Sequence, residues 1–125
     1  MATMPDLTPY LAAAREIDLS NKTPKPNIIH GDPMEAIHEI HRDEDGKVLI
    51  GVWECTPGAY HSAKVGYSEL MVFLGGHATI TPTGGEPLDL RDGSAIVTPD
   101  GWTGTWDVHE TIRKVFLLWG DKALG

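Results

Sequence analysis

From residue 35 to residue 119 the chain alternates apolar and polar positions in short runs, broken by glycine, proline and aspartate. Such alternation is the signature of β-strands with one face turned inward. The runs are Glu35–His41, Val48–Cys55, Tyr60–Lys64, Tyr67–Leu74, His77–Thr81, Pro87–Leu90, Ser94–Thr98, Trp102–Val108 and Thr111–Trp119. Turn signals separate them: Asp45-Gly46, Pro57-Gly58, Gly75-Gly76, Gly84-Gly85, Asp92-Gly93 and Pro99-Asp100-Gly101. His109-Glu110 reads as a further hairpin bend. Eight or nine short strands with regular turns and no βαβ unit predict an all-β sandwich or barrel.

The run around Glu69 organises the rest. Alternation puts Ser68, Leu70, Val72 and Leu74 on one face and Glu69, Met71 and Phe73 on the other. Both faces are largely apolar, so the strand is expected to be covered on both sides. A carboxylate beside Met71 and Phe73 is costly to bury unless something pairs with it, binds it or protonates it.

The N-terminal third lacks this pattern. Thr8-Pro9 is a helix start followed by helix-favouring Tyr10–Glu16, two turns at most. Residues 17–34 read as an irregular arm with one extended piece at Ile28-Ile29. The expected organisation is a helix and arm over 1–34, packed on the barrel or on a partner chain. A β-domain over 35–120 and a tail over 121–125 complete it.

Composition narrows the function. The 125 residues are 41% hydrophobic and 22% charged, typical of a soluble domain. Net charge is −8 and no basic patch interrupts the acidity, which argues against nucleic acid. A single cysteine, Cys55, excludes an intrachain disulfide and a cysteine zinc cluster; it reads as a buried small hydrophobe. No secretory signal or membrane-spanning run is visible, so the expectation is a cytoplasmic protein with no membrane partner.

The chain resembles the cupins, small jelly-roll β-barrels. Glu69 is followed by Gly76 at the interval of the first cupin motif, and Gly93, Pro99 and Gly101 fit the frame of the second. Val52–Gly58, Glu69–Gly76, Gly101–Trp106 and Ile112–Lys114 are most similar to single-domain cupins related to ureidoglycine aminohydrolase and to an ethanolamine-utilisation protein. The fold this implies is a small jelly-roll barrel with a short N-terminal helix and an extended arm. Metal-binding cupins would place two histidines at Ser62 and Lys64, or at Ala63 and Val65, and a third at Gly104; only Glu69 remains of that ligand set. The resemblance also implies a homodimer, paired through a sheet face with exchange of N-terminal segments.

Each candidate residue has a functional and a plain reading. Glu69 is a general acid or base, an anchor for a cationic group, or an ion-pair partner of Lys64, Arg113 or Lys114. His61 is a base at the barrel mouth or an exposed strand-end histidine. His38 and His41, spaced i, i+3 on a strand, point to opposite faces and do not share a metal. His30, His77 and His109 lie near turns and read as exposed. Trp53, Trp102 and Trp106 are cavity walls or core; Trp106 has the parity of Gly104 and should point inward, with Gly104 leaving room beside it. Arg113 and Lys114 face opposite ways, so one of them reaches the interior.

The expectation is therefore a barrel that binds a small organic molecule. Glu69 and His61 are the candidate catalytic pair; Trp53, Tyr60, Met71, Phe73, Trp102, Trp106, Arg113 and Lys114 are the candidate binding residues. No metal and no cofactor is expected. If it is an enzyme, non-redox proton transfer suits the residues: a lyase, isomerase, cyclase or hydrolase. The alternatives are a binding or sensor module without chemistry, and a divalent-metal cupin with a site built on Glu69, His61 and water.

Overall fold

The computed structural model describes residues 4–124. Its strands are β1 (Thr23–Pro24), β2 (Ile28–Gly31), β3 (Met34–Arg42), β4 (Val48–Cys55), β5 (Gly58–Ala63), β6 (Tyr67–Pro82), β7 (Leu88–Arg91), β8 (Ala95–Thr98) and β9 (Thr103–Gly120). Every pairing is antiparallel. The long strands β6 and β9 run side by side and bend together, so each belongs to two walls. In one wall β3, β4, the second half of β9, the first half of β6 and β8 are neighbours. In the other, β2, β5, the first half of β9, the second half of β6 and β7 are neighbours. The walls curl towards each other as a jelly-roll β-barrel.

The bend corrects two sequence expectations. Gly75-Gly76 does not reverse the chain, and His109-Glu110 is not a hairpin. Both lie inside continuous strands, opposite each other, where the β6–β9 register slips between Phe73 and Ala78. Gly75 and Gly76 have φ of 148° and 82°, and a Cβ on Gly76 would lie 2.6 Å from the Ile112 Cα. A glycine pair thus makes the barrel corner as a bulge. A turn and a bulge ask for the same residues.

The N-terminal helix is also corrected. Thr8–Tyr10 is one 3₁₀ turn, and the chain is extended again at Leu11. Seven residues cannot hold a helix alone, and here the backbone is used elsewhere. Ala14 carbonyl accepts from Arg113 at 2.9 Å, and Arg15 donates to the Leu74 carbonyl. The arm lies on its own barrel: β1 pairs with β3 and β2 with β5. The Thr23–Pro24 strand has no sequence signal, because proline disfavours strand interiors and is tolerated at an edge.

The interior packs around Trp106, on which Trp53, Tyr60 and Phe73 converge at ring-centroid distances of 5.8, 6.2 and 6.1 Å. Such aromatic pairs add about 0.5–1.5 kcal/mol each beyond area burial. Met71, Phe73, Ile80 and Ile112 close the core below. The outer face of β6 is less covered than expected: Leu70 and Val72 are 37% and 38% exposed.

Candidate functional site

The site is built on the inward face of the β6–β9 pair. Glu69, on β6, is 4% exposed. Its Oε2 lies 2.8 Å from the Lys114 Nζ and its Oε1 3.2 Å from the Lys64 Nζ. Lys114 sits on β9 opposite Trp53 of β4 and Phe73 of β6. Alternation sends its neighbour Arg113 outward, to Glu54 at 3.0 Å. Lys64 follows β5 in a loop held at both backbone groups: its N–H donates to the Trp102 carbonyl at 2.8 Å and its carbonyl accepts from Gly101 at 2.7 Å. Asp100 ties down the next residues through the Gly66 N–H, at 2.8 Å. The lysine is thus aimed inward by a rigid loop.

Above this triad is a cavity of about 160 Å³. At ~30 Å³ per water it has the room of about five waters, enough for a small metabolite. Its walls are Trp53, Tyr60, Tyr67, Trp106, Phe116 and Leu118. Lys25, from the arm, reaches its edge with its Nζ 4.5 Å from the Tyr60 ring centroid and 3.0 Å from Glu35. Glu35 also accepts from the Trp53 indole at 2.8 Å, fixing that wall. Three lysines against two carboxylates leave one positive charge here, in a chain whose net charge is −8.

Burial works against the charges of Glu69 and Lys114. It pulls the Glu69 carboxyl upward, but the charges and hydrogen bonds of Lys114 and Lys64 outweigh it and hold the group below the usual carboxylate range. It pulls the Lys114 ammonium downward, and Glu69 restores only part. Lys114 is further supported by the ring faces of Trp53 and Trp106, at 4.2 and 5.2 Å, and by the Met71 sulfur at 3.3 Å. Burial also pushes the Tyr60 phenol well above its ordinary value. Thr98, the cross-strand neighbour of Glu69, is 2% exposed, and its hydroxyl has no protein partner among the described residues.

The structure brings together Trp53, Tyr60, Glu69, Trp106 and Lys114 around the cavity. Met71 and Phe73 lie in the core beneath it, Met71 in contact with Lys114. Three expected members stand elsewhere. His61 is exposed on the outer face of β5, beside Asn27 and Thr103, and does not meet Glu69. Arg113 faces outward to Glu54 and the arm. Trp102 packs at the edge of the core, where its ring takes the space beside Gly104: a Cβ there would lie 2.6 Å from it. The room expected beside Trp106 is therefore filled. Cys55 is fully buried, and burial pushes its thiol up to about 11.

Among the lining residues, Lys25, Ile37, Ser62, Tyr67, Phe116 and Leu118 have no counterpart in the sequence-based site, and Lys64 enters there only as an ion-pair partner of Glu69. Lys64 had a signal, since it stands at one of the two ligand spacings before Glu69. The structure selects that spacing: Lys64 is 7% exposed and Val65 is 80%. Lys25 had none, because only folding brings the arm to the barrel mouth.

The donor set does not fit a divalent metal. The cupin ligand positions are occupied by Ser62, Lys64, Glu69 and Gly104, and both oxygens of Glu69 are engaged by ammonium groups. Among the described residues no group of three histidine, cysteine, aspartate or glutamate side chains converges.

Among solved structures the fold matches a protein of unknown function from Pseudomonas syringae pv. tomato (TM-score 0.73, 23% identity, 83% of this chain and 45% of that one). It also matches ectoine synthase from P. lautus (TM-score 0.67, 12% identity, 88% and 77%). A third match is the EutQ protein of Clostridium difficile (TM-score 0.61, 16% identity, 70% and 64%). At these identities the likeness is one of fold. The chain spans less than half of the Pseudomonas protein it matches. No curated protein matches the sequence. No described helix is long and apolar enough to cross a membrane. The model of the EutQ-like cupin domain matches residues 42–116, and the chain belongs to that family.

Proposed function

We propose that this cupin binds a small organic monoanion, a carboxylate, in its barrel. The observation that carries the reading is the surplus of one positive charge in an aromatic-walled cavity at the barrel mouth: Lys25, Lys64 and Lys114 against Glu35 and Glu69. A ligand of charge −1 would neutralise the cluster, and the Trp53, Tyr60 and Trp106 rings would cover its apolar end. Glu69 is the group placed to move a proton if the bound molecule reacts.

Calorimetric titration tests this with lactate against propionamide and propylamine, which offer the same cavity a neutral and a cationic head. Lactate is expected to bind and propylamine not. Lys64→Met should weaken lactate at least tenfold, about 1.4 kcal/mol. Equal binding of the three probes overturns the reading.

A homodimer belongs to the same proposal. Leu70, Val72 and Val97 form an apolar strip on the outer face of β6 and β8, each more than a third exposed, which a second copy would cover. Sedimentation equilibrium giving monomer alone at micromolar concentration overturns it.

A further inference from the structure

We propose that Lys114 is a carbonyl-trapping amine and that the barrel takes small 2-oxo acids as a lysine-bound iminium. The inference rests on the carboxylate reading above and names the substrate class of the same site. Three features carry it.

The first is the placement of the amine. Lys114 lies on a central strand, is 6% exposed, and lines the cavity. A surface ammonium is fully hydrated; one walled by Trp53 and Trp106 has ring faces where part of its hydration shell would lie. The second is the proton acceptor. Glu69 touches the amine at 2.8 Å, so a proton can pass between them inside the pair, leaving two neutral groups that need no water. Lys64, on the other oxygen of the same carboxylate at 3.2 Å, disfavours a second positive charge beside it. Burial and Lys64 both move Lys114 towards its neutral form. The third is the spacing of the two cations. Lys64 and Lys114 bracket one carboxylate, which sets them as neighbours. A 2-oxo acid carries its carboxylate and its carbonyl on adjacent carbons, so Lys64 can hold the first while Lys114 attacks the second.

The step balances without any further reagent. Glu69 takes one proton from the Lys114 ammonium, and the freed amine adds to the carbonyl carbon. The C=O π bond breaks and its oxygen collects that proton. The second nitrogen proton follows to the same oxygen, which leaves as water. One N–H remains on the iminium, so charge is conserved at +1. The iminium keeps the interactions the ammonium had: Glu69 beside it and the two indole faces over it.

The test uses the unmodified protein. Pyruvate and sodium borohydride are added together, and peptide mapping locates the reduced adduct among the six lysines. Most chains should carry one 1-carboxyethyl group, on Lys114. Excess lactate, which shares the carboxylate and lacks the carbonyl, should suppress the labelling at least tenfold. Propionaldehyde, which lacks the carboxylate, should label Lys114 at least tenfold more slowly. Labelling confined to the other lysines, or labelling of Lys114 by propionaldehyde as fast as by pyruvate, overturns the inference. No adduct while lactate still binds overturns the imine and leaves the carboxylate reading standing. No adduct and no lactate binding overturns both.

Discussion

Two carboxylates of this barrel sit between two cations each, on opposite faces of the two strands that flank β9. Outside, Glu54 of β4 meets Lys22 at 2.6 Å and Arg113 at 3.0 Å. Inside, Glu69 meets Lys64 at 3.2 Å and Lys114 at 2.8 Å. The stoichiometry is the same and the use of the donors is not. Lys22 also donates to the Leu19 carbonyl and Arg113 to the Ala14 carbonyl, so the outer cluster fastens the arm to the wall. Lys114 gives one further contact, to the Met71 sulfur, and otherwise faces rings and space. An arrangement that closes on backbone acceptors is structural. One that leaves ammonium groups beside a cavity is available to a ligand.

The comparison is tested most severely by removing each carboxylate. Glu69→Gln leaves two buried ammonium groups without a counter-ion and should cost ~3–5 kcal/mol of stability. Glu54→Gln should cost about 1 kcal/mol, because its cations keep backbone acceptors and its side chain is 17% exposed. Urea denaturation of the two variants at neutral pH measures both. Equal losses would mean that the two clusters do the same work.

Acid sharpens the same contrast. The folded-state Glu69 carboxyl lies below its ordinary value of 4.5. Its contribution is therefore fully present above pH 4.5 and is lost as pH falls through the folded value, where the native state must take up a proton. Exposed Asp6, Asp18 and Asp89 are depressed as well, so the useful quantity is the difference between wild type and Glu69→Gln. That difference should be constant from pH 7 to 5 and should shrink below pH 4.5, in a pH series of urea melts. A difference that does not change with pH would show that folding does not hold the Glu69 carboxyl below its unfolded value.

Much of the fold is legible in the sequence because a half-buried sheet imposes a period of two. The same period explains why Lys114 and not Arg113 enters the barrel, and why Trp106 points inward. What the sequence leaves ambiguous is where one residue type serves two geometries. Gly75-Gly76 suits a turn and a bulge alike, and only the opposite strand, with Ile112 2.6 Å from where a Cβ would stand, decides between them. The site is half legible. Glu69 announces itself as a carboxylate in an apolar run, but its partners come from a loop 5 residues before it and from β9, 45 residues after it. Lys25 reaches the same cavity from an arm with no periodicity at all.

The smallest expected effect belongs to His61, the histidine nearest the cupin frame. It sits on β5 one residue before Ser62, which lines the cavity, so alternation turns its ring away. Its backbone N–H donates to the Asn27 carbonyl at 3.0 Å, a bond that alanine keeps. Its ring is exposed, and surface substitutions of this kind change stability by no more than about 0.5 kcal/mol. His61→Ala should therefore melt within that margin of wild type and bind lactate within about twofold, which is ~0.4 kcal/mol. A tenfold loss of lactate binding in His61→Ala, with stability intact, would move the site from the buried triad to the outer face of β5. The contrast between the two clusters would then no longer locate function.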